Sequence, residues 1–152
     1  MNQFSKVGIV ADHAGFAVVK VVLSVLDRLQ VKHIYYGVHN SDRSVDYPSV
    51  FAPLGQAWAA GEVDGGIAVC GSGVGMSIVA NKYSGLRSAS VWNETVCKLA
   101  REHNDLNLLC LGARVLEPSE LTRIIELWLT TPFEGGRHQR RVELIHSLED
   151  QS

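Results

Sequence analysis

Short apolar runs alternate along this chain with stretches whose apolar residues recur every three or four positions, and that alternation predicts the elements in order. Val7-Gly-Ile-Val-Ala11 reads as a first strand, and Gly15 to Leu29 as a helix with Val18, Val19, Val22, Leu26 and Leu29 on one side. His33 to Tyr36 is a second strand, followed by a polar loop from Gly37 to Asp46. Tyr47 to Ala60 is helical by pattern; Pro48 suits a first turn, whereas Pro53 predicts an irregularity. Ile67 to Cys70, Ser88 to Val91 and Leu108 to Gly112 are three more strands, each followed by a helical pattern: Val74 to Lys82, Glu94 to His103 and Pro118 to Leu129. Strands alternating with helices predict a parallel sheet covered on both faces, hence a Rossmann-like three-layer α/β/α fold with five parallel strands in one domain, 1–152. An extra C-terminal helix, Arg137 to Leu148, follows the break Phe133-Glu-Gly-Gly136 and has no strand of its own to cover. It packs either on a partner subunit or on its own sheet.

Composition narrows the class. With 152 residues, 46% hydrophobic and 20% charged, the chain has material for one real core. A net charge of −2 argues against a nucleic-acid binder, whose footprint would be basic. Cys70, Cys97 and Cys110 are odd in number and lack C-x-x-C spacing, which suits a reducing compartment. Met1-Asn-Gln-Phe-Ser-Lys6 offers no hydrophobic signal core and no apolar run reaches spanning length, so the expectation is a cytoplasmic protein without a membrane partner.

Chemistry concentrates at residues 69–77, Val-Cys-Gly-Ser-Gly-Val-Gly-Met-Ser, where a buried strand delivers a cysteine into a loop with glycine at every second position. Backbone N–H groups left unpaired there can hold an oxyanion or a phosphate beside the thiol. Packing plus a tight turn is the plainer reading of the same segment. The G-x-G-x-G spacing of Gly71, Gly73 and Gly75 is not the dinucleotide fingerprint, so no nicotinamide cofactor is expected. In a parallel sheet the ligand crevice lies outside the strands' carboxyl ends. That places Asp12 and His13, Cys70 with its loop, and Arg114 around one pocket, although Asp12 equally suits a helix N-cap and His13 a solvated loop. His103 closes the fourth helix, where it also serves as a dipole partner, and Asn104 suits a C-cap. Arg137 and Arg141, four apart, share a helix side and could grip one multiply charged oxyanion, or form a solvated face. No His or Cys pair has metal-ligand spacing, so no metal is expected.

Ala11-Asp-His-Ala-Gly-Phe16, Asp46-Tyr-Pro48, Gly61-Glu-Val-Asp-Gly-Gly66, Cys70-Gly-Ser-Gly-Val-Gly75, Ala80-Asn-Lys82, His103-Asn-Asp105, Gly112-Ala-Arg114 and Glu134-Gly-Gly-Arg-His138, taken together and in order, resemble the ribose-5-phosphate isomerase B group, which includes allose- and galactose-6-phosphate isomerases. The resemblance spans essentially the whole chain. It implies a cofactor-free and metal-free aldose–ketose isomerase of a small sugar phosphate, working through an enediolate in the pentose phosphate pathway. On that resemblance Cys70 is the base, Gly71, Ser72, Gly73, Val74 and Gly75 hold the enediolate oxygens, and Ser72 relays hydroxyl protons. His103 opens the furanose ring; Asp12, His13 and Asn104 contact sugar and phosphate; Arg114, Arg137 and Arg141 grip the phosphate; Tyr47 lies near the ring. Members without this cysteine use a glutamate just past the glycine loop, a region held here by Met76. The loop Gly37 to Val45 departs from the group's pattern, which leaves allose 6-phosphate, galactose 6-phosphate or a four-carbon phosphate as alternative substrates and a non-catalytic sugar-phosphate binder as the rival class. Sites shared between two subunits, with His103 and the basic helix offered across the interface, imply a homodimer, with a tetramer as the alternative.

Overall fold

The computed structural model describes residues 1–149. Its elements are β1 (Lys6–Ala11), α1 (Val19–Arg28), β2 (Lys32–Tyr35), α2 (Tyr47–Ala59), β3 (Gly65–Cys70), α3 (Val74–Ala80), β4 (Ser88–Ser90), α4 (Glu94–Asn104), β5 (Leu108–Gly112), α5 (Pro118–Thr130) and α6 (Arg137–Ser147). The five strands are parallel, in the order β2-β1-β3-β5-β4. The three-layer expectation therefore holds.

Period-two alternation divides each central strand between two cores. Val7, Ile9, Ile67, Val69, Leu109 and Leu111 pack with α1, α4 and α5 on one face. Val10, Ala68, Cys70, Leu108 and Cys110 pack with α2 and α3 on the other. Trp128 anchors the first core, fully buried, with its ring 4.2 Å from Phe4 and its Nε1 donating to the Leu106 carbonyl at 2.9 Å.

The helix expected from Gly15 is divided. A 3-10 turn, Phe16–Val18, precedes α1, because Asp12 Oδ1 takes the Gly15 N–H at 2.9 Å and the Val18 N–H closes back on the Gly15 carbonyl at 3.2 Å, three residues rather than four. Pro53 does not interrupt α2. Within its own chain the final helix packs chiefly on α4 rather than on the sheet, burying His138 and Val142 and leaving Leu144, Ile145 and Leu148 exposed.

Candidate active site

β1 has β2 on one side and β3 on the other, so the chain changes direction between β1 and β3, and connecting loops splay apart at those strands' carboxyl ends. A cavity of about 560 Å³ opens there. Asp12, His13, Tyr47, Cys70, Gly71, Ser72, Val74, Gly75 and Arg114 all line it. Gly73 lies buried behind them.

Cys70 ends β3 at 5% exposure, and its Sγ accepts the Gly73 N–H at 3.1 Å. That contact needs the loop to double back, which Gly73 permits with φ of 82°. Gly112 lets β5 come against the loop, since a Cβ there would sit 2.8 Å from the Ser72 backbone. Ser90 Oγ donates to the Ser72 carbonyl at 2.9 Å, and the Arg114 N–H donates to the Gly71 carbonyl at 3.0 Å. The loop is thus clamped from β4 and β5 while the amides of Gly73 and Val74 serve it internally, the latter through Ser72 Oγ at 3.3 Å.

The other lining residues are oriented too. His13 Nδ1 accepts the Val45 N–H at 3.2 Å, so a neutral ring carries its proton on Nε2 and can donate from it. The Tyr47 ring lies against Gly75, where a Cβ would come within 2.8 Å of it. Asp12, 4% exposed, is not a helix N-cap, a place held by Gly15 for the 3-10 turn and by Val18 for α1; its Oδ1 takes the Gly15 N–H in the preceding turn, and the residue borders the cavity.

His103, Asn104, Arg137 and Arg141 do not border this cavity. His103 instead stacks on His138, rings 4.2 Å apart and 9° from parallel, with Glu134 Oε2 4.0 Å from His103 Nε2 and 3.7 Å from His138 Nε2. Arg137 Nε donates to His138 Nε2 over a long 3.5 Å. Burial, then the neighbouring His103, Arg137 and Arg141, hold the His138 imidazole below its ordinary range, with Glu134 opposing them. The C-cap of α4 is Asp105, in the left-handed region with φ of 49°, rather than Asn104, the helix's last residue. Glu134 and His138 belong to a motif quoted above but were given no role of their own; their i,i+4 spacing is the signal the sequence offered.

His103, Glu134 and His138 bring three metal-capable atoms within 4.8 Å, a trio that linear spacing conceals. Each imidazole lone pair lies in its ring plane, and one ion cannot lie in two parallel planes. Holding a metal would require a ring to turn. The remaining cysteines lie apart from this chemistry: burial pushes the thiols of Cys97 and Cys110 up to about 12.

Residues 7–145 match the family model described as Ribose/Galactose Isomerase. The chain is 41% identical to ribose-5-phosphate isomerase B of Escherichia coli (strain K12) over 144 residues, 95% of this chain and 96% of that protein. It is similar to the structure of Clostridium thermocellum ribose-5-phosphate isomerase B, with a TM-score of 0.91 and 39% identity over 96% of this chain and 98% of that one. It is also similar to Mycoplasma genitalium ribose-5-phosphate isomerase B with bound ribulose-5-phosphate, with a TM-score of 0.90 and 35% identity over 97% of each chain.

Proposed function

The chain belongs to the ribose/galactose isomerase family, and we propose that it interconverts ribose 5-phosphate and ribulose 5-phosphate through an enediolate, in the cytoplasm, as a step of the non-oxidative pentose phosphate pathway. The observation that carries the reading is the Cys70 sulfur at the edge of the cavity, fixed by the Gly73 N–H inside a clamped loop. Cys70, as thiolate, takes the proton from C2 of the open aldose and returns it to C1 of the ketose. Such a proton leaves readily only if the anion formed is met by fixed donors. With the Gly73 and Val74 amides engaged inside the loop, the Gly71, Ser72 and Gly75 amides are assigned to the enediolate oxygens, and Ser72 Oγ to the proton passed between O1 and O2. Met76, fully buried in the core, leaves the region just past the loop without a competing base.

His13 Nε2–H and Arg114 supply donors in the same cavity. Ring opening and the rest of the phosphate grip fall to His103, Asn104, Arg137 and Arg141, with Asp12 and Tyr47 on the sugar. Because these four lie outside the Cys70 cavity of their own chain, a second copy completes each site. Val74, Ile78 and Val115, more than half exposed, give such a homodimer apolar surface at the cavity. The loop from Gly37 to Val45, tied down by Tyr35 Oη to the Val38 carbonyl at 2.6 Å and by Val45 to His13, is assigned to the sugar's far end.

Assay of the purified protein against four-, five- and six-carbon aldose phosphates tests the substrate. Ribose 5-phosphate is expected to turn over fastest. Cys70→Ala is expected to lose about 10²- to 10⁴-fold in kcat while binding ribulose 5-phosphate nearly as the parent does. Near-normal turnover in that variant would remove the mechanism.

A further inference from the structure

The side chain of Arg87, in the turn entering β4, closes the far end of α4. Its Nε donates to the carbonyls of Asn104 and Asp105, each at 3.0 Å, and its Nη2 reaches the Asp105 carbonyl at 2.8 Å and Oδ2 at 2.9 Å. The last carbonyls of a helix have no partner inside it. Here a guanidinium supplies one at the turn that carries His103 and Asn104.

Asp105 is held from the other side as well. Arg101, 3% exposed, donates from Nη1 to Asp105 Oδ1 and to the Leu106 carbonyl, both at 2.8 Å. Two arginines therefore share one carboxylate, on a residue kept in a left-handed conformation that glycine adopts freely and Asp and Asn at modest cost. A glycine would end the helix without strain and without either cation. Burial lowers the pKa of Arg87, a sign that its charge is kept there against solvation. A mere stop signal does not require such an arrangement; a helix terminus fixed in one geometry does.

The same turn reaches α6. Arg87 Nη1 lies 2.7 Å from His146 Nε2 in that helix's last turn, while Glu149 accepts from the Ser84 hydroxyl at 2.6 Å and the Gly85 N–H at 2.9 Å. One bracket thus joins the end of α4 to the helix bearing Arg137 and Arg141.

We infer that Arg87 is a positioning residue for ring opening: it fixes the α4 terminus so that His103 and Asn104 meet the sugar in a geometry set relative to the phosphate grip of α6. The inference rests on the assignment of His103 to ring opening. Ribose 5-phosphate is largely a closed furanose, whereas ribulose 5-phosphate cannot close through its phosphorylated C5 oxygen. Deuterium entry at C1 of ribulose 5-phosphate in heavy water therefore reports enediolate formation without ring opening, and net conversion of ribose 5-phosphate reports both.

Arg87→Gln and Arg87→Lys are expected to lose about 10- to 100-fold in kcat for ribose 5-phosphate, the scale of a misplaced group, while deuterium exchange stays within about threefold of the parent. Asp105→Asn, which tolerates the left-handed backbone, is expected to show the same split and carries the test if the Arg87 variants do not fold. Exchange and conversion falling together, or neither falling, would overturn the inference. His103→Asn measured alongside separates the failures. If it shows the split and the Arg87 and Asp105 variants do not, only the positioning role is wrong; if it shows none, the ring-opening assignment falls and the inference with it.

Discussion

Three thiols in one small domain differ because of where their strands and helices put them. Cys97 and Cys110 lie in the two cores, with thiols pushed up to about 12, so neither offers thiolate near neutral pH. Cys70 alone borders the cavity. Iodoacetamide is expected to modify one cysteine per chain, Cys70, with loss of activity, and ribulose 5-phosphate should protect it; peptide mapping that finds Cys97 or Cys110 alkylated first contradicts this account. His138 gives a second handle at this scale. Its folded pKa lies below the ordinary 6.5, so the unfolded chain binds the proton more tightly. Its neutral form contributes stability that is full above the unfolded value and lost as pH falls through the lower folded one. Thermal midpoints of the free protein should therefore drop with acidification below about pH 6.5, and more steeply in the parent than in His138→Gln. Parallel slopes for the two proteins would show that His138 is not the group responsible.

Among the elements, α6 carries three arginines and buries little of itself. It rests on its own chain through His138 and Val142, meets Arg87 through His146, and exposes Arg137 and Arg141. Its pattern was legible because apolar residues recur at helical spacing, but the pattern could not say what the helix packs against. The 3-10 turn before α1 was not legible, since the competing hydrogen bond comes from a side chain, Asp12 Oδ1, that periodicity does not register. If α6 grips the phosphate, Arg137→Ala or Arg141→Ala should weaken binding of ribulose 5-phosphate by roughly 1.5–3 kcal/mol, the worth of a charge-assisted hydrogen bond. Titration calorimetry giving parental affinity for both variants would leave the helix as a solvated face.

For the whole molecule the question is whether one chain suffices. Cys70 and His103 fall in separate regions of the chain, so a site built from both draws on two subunits. Mixing equal amounts of Cys70→Ala and His103→Asn protein, unfolding and refolding them together, tests this directly. Random pairing makes half the dimers mixed, and each mixed dimer holds one intact site of two, so activity should return to about one quarter of the parent. Sites complete within single chains would leave the mixture no more active than the average of its parts.

The strands, the longer helices, the three-layer fold and the residues worth watching were legible in the chain, because side-chain period and glycine placement are local properties. Asp12, Cys70 and Arg114 were legible as neighbours for the same reason: each follows a strand of a parallel sheet, and such strands end on one edge. The assembled fold was needed to show that His103 stacks on His138 beside Glu134, that Asp105 rather than Asn104 turns the chain out of α4, and that Arg87 reaches that turn from the segment entering β4. Those contacts join residues distant in sequence, and they depend on how helices seat on the sheet and on each other, which no local pattern encodes.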